Sequence, residues 1–459
     1  MSFNLSTSPS SAFLYWQFKR LRGQGNIREY LRELEQTQFL DRNTLATMQF
    51  EKLQHCLQNA FEHVPFYREF VRKHGLSLKN FQSPEDIQRL PRLDRSTLLE
   101  HYQALSSKKI LKGVYENFSS GSTGRQARFK QDAHYDLWCR AHQLRCYQWC
   151  GDWQLGEPFV LIWGSAVYWK TFTLEKTIGN FLTNRHELNC YDLGERNVER
   201  MLDQLMKIQP VLISGYSTAL YLLAAKAIEK GCQFTRLRAV QPTAEALLPH
   251  MRQVIEQGFK APAFNKYGSR ETNMVAHQCP DAEGMYLQAE NVFAEILNDD
   301  NQPCRPYEEG RLVLTTLNNH TMPLIRYETG DIATPLPPQA NSRFGFQRIS
   351  EVSGRQHDLI LSPNQGRIHP QLFSNIFMGV PAVRWFQVIQ KQLNQLEISI
   401  YAPHGASPDI LDGIKAKIAQ LAQFPFEIRF HELDQMPHSP TGKFRLCICQ
   451  LPQGAGVTT

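Results

Sequence analysis

The stretch VERMLDQLMKIQPVLISGYSTALYLLAAKAIEKGCQFTRLRAV, residues 198–240, carries two structural periods in alternation. VERMLDQLMKI is amphipathic at helical spacing, Pro210 breaks it, and the apolar run Val211-Leu212-Ile213 follows as a strand. Ser217 stands where a helix cap is expected, Lys230-Gly231 where that helix ends, and LRAV, 237–240, reads as another short strand. Further along, a helix through MRQVIEQG and a strand at AFNKY continue the pattern. Such alternation predicts a parallel sheet covered by helices, with ligands where strands give way to loops. Two of these loops carry polar strings, Gln241-Pro242-Thr243-Ala244-Glu245 and Tyr267-Gly268-Ser269-Arg270-Glu271.

On the N-terminal side, residues 45 to 105 read as helices: Leu53, Leu57 and Phe61 recur at helical spacing, Pro65 interrupts, and Gly75 closes the segment. On the C-terminal side strand signals dominate to about residue 350, with GRLVLTTL the clearest. The tail then has its own rhythm: the strand-like VRWFQVIQ, the alternating LEISIYAP, a helix capped by Ser407 with Pro408 in its first turn, and the strand FEIRF. The fold class expected is α/β, a large domain of helix-covered β-sheets plus a small mobile α+β C-terminal domain. Its parts are a helical region 1–110, a core at 111–353, the small domain at 354–450 and a flexible tail at 451–459.

Composition bounds the function. With 459 residues, 42% hydrophobic and 20% charged, the chain has the make-up of a soluble globular protein, and a net charge of +6 is mild. An anionic small molecule fits that charge; no Lys/Arg block is dense enough to argue for nucleic acid. Lys19, Arg20 and Arg22 follow the aromatic stretch Phe13 to Phe18 and could touch a membrane surface, although a solvated helix face is the better explanation. No apolar run is long enough to span a membrane and no secretory signal is evident, so a cytoplasmic location is expected. Ten scattered cysteines suit reduced, buried thiols; His277, Cys279 and Cys304 are candidates for zinc but lack an obvious fourth ligand.

Ahead of the sheet region lies NFSSGSTGRQARFK, residues 117–130. Glycines let backbone N–H groups converge, hydroxyls add donors, and Arg125, Arg128 and Lys130 add positive charge, a set that suits a polyphosphate. A flexible Ser/Gly surface loop is the plain alternative. It is not a Walker A loop, since only two residues separate Gly121 from Gly124 and no Lys follows directly.

Four more strings follow in order after PTAE (242–245): YGSRE (267–271), RYETGD (326–331), SGRQHD (353–358) and SPTGK (439–443). With the hydroxyl loop, this series resembles the adenylate-forming superfamily of acyl-CoA ligases. It is most similar to the phenylacetate-CoA ligase and CapK-like branch, which also matches at Val64 to Arg68, Leu90-Pro91, Thr315 to Leu317, Pro323 to Asp331 and FQVIQ, 386–390.

The resemblance implies an ATP- and magnesium-dependent enzyme that activates a carboxylic acid as an acyl-adenylate and transfers it to a thiol, with coenzyme A as co-substrate. Ser119, Ser120, Gly121, Ser122, Thr123 and Gly124 would cradle the phosphates. Thr243, Ala244 and Glu245 with Tyr267 and Gly268 would line the adenine, and Asp331 would accept from the ribose hydroxyls with Arg355 nearby. Glu271 matches the magnesium-coordinating Glu, Lys443 the mobile catalytic lysine, and His357 the hinge. The chain departs from the pattern at His357, at Gln126-Ala127, at Asn265, and at Arg270, which replaces a hydroxyl residue and could contact a phosphate or an anionic substrate. Three other outcomes stay open: amide formation, AMP transfer to a hydroxyl as in polysaccharide biosynthesis, and a non-catalytic nucleotide-binding protein. The aromatic segments 160–176 and 215–221 favour an aryl acid, although core packing also explains them.

Overall fold

A computed structural model of the chain describes residues 9–119, 127–164, 173–340, 342–352, 354–355, 359–364, 366–368, 372–373, 376–377, 379–380, 382–437 and 445–451. It divides into two compact units, one formed by Met1–Glu157, Glu175–Asn184 and Phe264–Val352, the other by Pro158–Leu174, Arg185–Ala263 and Ser353–Thr459.

The first unit begins with helices. Asp41 caps the helix Arg42–His63 by accepting from the Asn43 and Thr44 N–H groups, and Pro65 opens the helix Pro65–Lys73 at a position where its missing N–H costs nothing. Gly75, at φ +64, lies just past its end. The helical reading of residues 45 to 105 holds only to Lys73. Beyond it come short 3-10 turns at Leu78–Asn80 and Pro84–Arg89 and the brief helix Arg95–Glu100, because Ser77, Ser83 and Asp94 each start a new capped turn. Leu53, Leu57, Tyr67, Leu93 and Leu98 of these segments share one apolar cluster with Leu324, Ile325 and Tyr327.

Two antiparallel sets of strands complete this unit. Val292–Leu297, Gly310–Thr316 and Tyr327–Ala333 form a meander. Lys266–Ser269, Asn273–Gln278, Met285–Leu287, Arg348–Ile349 and Pro335–Leu336 pair in that order. The strand expected at AFNKY is present at its end, Lys266-Tyr267, and it runs on through Gly268 and Ser269, which were expected in the following loop. Beneath these layers Arg145 and Glu290, both 0% exposed, form a two-pronged ion pair at 2.6 and 3.1 Å. Thr37 Oγ1 donates to Glu290 at 2.8 Å and Arg145 to the Leu34 carbonyl at 3.1 Å, so the pair joins the helices Asn26–Thr37 and Ala133–Trp149 to the turn after Leu287.

The second unit contains the expected parallel strands in the spatial order Ala239–Thr243, Leu212–Tyr216, Phe159–Trp163, Arg185–Asn189. The helices Glu195–Ile208, Ser217–Lys230 and Pro249–Phe259 supply the apolar faces that cover it. Its C-terminal part is a four-stranded mixed sheet, ordered Glu427–Glu432, Gln395–Tyr401, Trp385–Gln392, Cys447–Cys449, with the helix Pro408–Ala422 on its apolar face. Among the described residues no helix is long and apolar enough to cross a membrane. Lys19 is turned inward at 6% exposure and bonds to Gln24 and Glu175, whereas Arg20 and Arg22 are exposed, Arg22 pairing with Glu175.

Candidate active site

The hydroxyl loop leaves and rejoins a short hairpin. Tyr115–Phe118 pairs with Arg128–Gln131, and the ladder extends one step further through Ser119 N–H to the Ala127 carbonyl at 2.9 Å. Ser119 Oγ accepts from the Ala127 N–H at 2.9 Å and from Arg95 Nη2 at 3.0 Å. Ser119 thus joins the two ends of the loop, with the Arg95 charge at its base. Ser120, Gly121, Ser122, Thr123, Gly124, Arg125 and Gln126 lie outside the described residues. Arg128 is not the unengaged phosphate cation that its place in the string implied: Glu116 accepts from it through both oxygens at 2.9 and 3.0 Å, and its guanidinium lies 4.8 Å from the centre of the Tyr102 ring.

Glu271 sits in the tight turn of a β-hairpin. Ser269 faces Asn273 across the pair Lys266–Ser269 and Asn273–Gln278, so only Arg270, Glu271 and Thr272 bridge them. Asn273 takes φ +56, and a Cβ at Gly268 would strike the Asn273 carbonyl, so a side chain cannot be placed there. The turn is held from both sides: Gln131 Nε2 donates to the Arg270 carbonyl at 2.9 Å and Asn291 Nδ2 to the Thr272 carbonyl at 3.1 Å. Arg270 is exposed, and its Nη1 donates to the Phe118 carbonyl at 3.0 Å, one residue before the loop closure. Glu271 is 9% exposed, and among the described residues nothing donates to its carboxylate. A largely buried, unpaired carboxylate is costly unless a cation joins it, and oxygen donors of this kind suit magnesium.

Asp331 lies on the strand Tyr327–Ala333, and its Oδ2 accepts the Tyr267 hydroxyl at 2.5 Å. One carboxylate oxygen is therefore engaged by the side chain assigned to the adenine. Asn265, where the pattern has Asp, donates to Glu351 at 3.0 Å.

The remaining candidates belong to the second unit. Thr243 ends a fully buried strand, and Ala244 holds φ +70, a left-handed conformation uncommon for a residue with a Cβ. Glu245 accepts the Thr218 N–H at 2.9 Å at the start of the helix Ser217–Lys230, whose expected cap, Ser217, makes no capping bond. Tyr216 is buried and meets Trp163 edge-on at 4.6 Å, so this part of the aromatic-rich segments packs in the core. Arg355 lies on the short strand Gly354–Arg355; Lys443 and His357 fall outside the described residues. The zinc candidates are not gathered: among the described residues no three His, Cys, Asp or Glu side chains come together to hold a metal. His277 bonds instead to the Gln278 carbonyl and Cys304 to the Glu309 carbonyl.

Sequence pattern alone assigns no task to Arg95 or Arg326. Arg95 directly follows a helix cap and Arg326 opens the RYETGD string, but neither spacing names its partner.

A family model described as the CapK C-terminal domain matches residues 360–450. Protein CapK of Staphylococcus aureus is 24% identical over 431 residues, covering 88% of this chain and 89% of that one. The phenylacetate-coenzyme A ligase of Aromatoleum evansii is 24% identical over 344 residues, covering 72% and 74%. Among solved structures, 2-hydroxyisobutyryl-CoA ligase in the postadenylation state superposes with a TM-score of 0.73 at 16% identity, covering 90% of this chain and 91% of the other. The chain is a homologue of CapK and of the phenylacetate-CoA ligases, with the fold of the adenylate-forming CoA ligases.

Proposed function

We propose that the protein joins a carboxylic acid to AMP at the expense of ATP, releasing pyrophosphate, and passes the acyl group to the thiol of coenzyme A. The observation that carries this reading is that one unit holds the closed base of the hydroxyl loop, the largely buried Glu271 carboxylate, to which nothing donates among the described residues, and the Tyr267–Asp331 pair. Its extended sequence similarity to phenylacetate-CoA ligases supports the same chemistry.

In this reading the donors of Ser120 to Gly124 hold the β- and γ-phosphates while Asp331 and Tyr267 hold the nucleoside. A magnesium ion held by Glu271 would neutralise charge on the phosphates. An oxygen of the acid attacks the α-phosphorus in line and pyrophosphate leaves, a step governed by positioning and electrostatics. Lys443 donates to the oxygens on which charge grows. The small domain from Gly354 onward then turns about His357, and the thiol sulfur attacks the acyl carbon with AMP as leaving group. An aryl acid is the first substrate class to test.

The match to CapK favours one second reading, in which the adenylate meets an amine, or AMP is passed to a hydroxyl acceptor. The test is pyrophosphate release from ATP and magnesium over a panel of aryl, fatty and amino acids, with and without coenzyme A. Acid-dependent release that is lost in Lys443→Ala, with coenzyme A consumed, is the expected result. Release without consumption selects the second reading, and silence across the panel with ATP still bound overturns both.

A further inference from the structure

Arg326 directly precedes the strand that carries Asp331, and the proposed adenylation gives it no task. It is 5% exposed and holds φ +55, a backbone conformation that a non-glycine residue keeps only where its surroundings over-determine it. Those surroundings are specific. Glu295 accepts from Nε at 3.0 Å and from Nη2 at 2.9 Å, and on the other side Nη1 donates to the carbonyls of Gln88 at 3.1 Å and Leu90 at 2.9 Å. The Arg326 N–H donates to Thr315 Oγ1 at 3.0 Å, and its carbonyl accepts from the Leu93 N–H at 2.9 Å.

Two short paths lead from this residue to the nucleotide site. Forward along the chain, the Glu328 N–H donates to the Leu93 carbonyl at 2.8 Å, and the Asp331 N–H donates to Thr329 Oγ1 at 3.1 Å. The strand is thereby registered up to the ribose carboxylate. Through space, Arg326 grips residues 88 to 93, which run into Asp94, the cap of Arg95–Glu100, and Arg95 holds Ser119 Oγ at the base of the hydroxyl loop.

We propose that Arg326 is a positioning residue that sets the spacing between Asp331 and the base of the phosphate loop at Ser119; the inference rests on the adenylation reading. A buried ion pair is a poor device for stability alone, since its desolvation offsets most of its attraction. A planar fork that meets a carboxylate on one edge and two carbonyls on another is a good device for fixing geometry, and lysine has no equivalent.

The test uses the full-length chain with Arg326→Lys, and Glu295→Gln as the second variant should the first not fold. ATP and adenosine binding are measured by titration calorimetry beside the thermal midpoint. Adenosine engages only the Asp331 end, whereas ATP must satisfy both ends. The expected result is an ATP dissociation constant raised roughly ten-fold or more, with a smaller rise for adenosine, because small misplacements are felt strongly in preorganised sites. A merely structural role would lower the midpoint and the fraction of competent protein but leave the dissociation constants at the wild-type values, and that outcome overturns the proposal while adenylation stands. Failure of the unsubstituted protein to bind ATP would overturn both readings.

Discussion

Tyr267 offers two parts of one side chain to the proposed site: a ring, which we propose faces the adenine, and a hydroxyl that reaches Asp331 Oδ2 at 2.5 Å. If the hydroxyl holds the carboxylate in place for the ribose, Tyr267→Phe keeps the ring and removes the restraint. A hydrogen bond to a charged group is worth about 1.5–3 kcal/mol, so the KM for ATP is expected to rise roughly ten-fold with a smaller change in kcat. Steady-state pyrophosphate release checks this, and an unchanged KM would mean that the hydroxyl is idle. The motifs made both residues legible as candidates, yet their mutual bond spans 64 positions and no local pattern encodes it. Arg128 teaches the same lesson in reverse. Its charge was evident, but its engagement by Glu116 depends on the strand register that sets Phe118 opposite Arg128 and Glu116 opposite Lys130.

Among the elements, the helices were the most legible because their signals are local. Val198, Met201, Leu202 and Leu205 are buried at the spacing the sequence shows, and Gly231 ends the next helix at φ +63. The start of that helix was not legible: the acceptor for the Thr218 N–H comes from Glu245, 27 residues on, rather than from Ser217. This helix also packs very closely against its neighbour. A Cβ on Gly258 would lie 2.8 Å from Ala224 Cα and nearer still to its carbonyl, so the helices Ser217–Lys230 and Pro249–Phe259 approach at a distance that only glycine allows. Gly258→Ala is expected to force them apart at a cost of about 1–3 kcal/mol, despite the better helix propensity of alanine. Urea unfolding measures the loss. A neutral or stabilising result would mean that the pair yields without strain.

Across the whole molecule the buried titratable groups give acid sensitivity a definite sign. Burial, with the Arg145 charge beside it, lowers His142 to about 3; burial lowers His277 to about 3 and His250 to about 4, from an ordinary value of 6.5. Each is neutral in the folded chain at pH values where the unfolded chain has already taken up a proton. Unfolding therefore binds protons below 6.5, and stability falls with pH through the window down to about 3 or 4. Glu290 adds to this lower down. Burial alone would raise its carboxyl, but the Arg145 charge and hydrogen bonds and the Thr37 hydroxyl outweigh burial and hold it at about 2, so its contribution is lost between 4.5 and about 2. The onset should thus precede the carboxylate range. The thermal midpoint is expected to drop already between about pH 7 and about pH 5. His277→Gln removes one of the protons taken up on unfolding, so the difference in stability between those two conditions should shrink even where the variant is less stable at both. A slope identical to that of the unsubstituted chain would assign the acid response to other groups, because a proton that no longer binds cannot contribute to it.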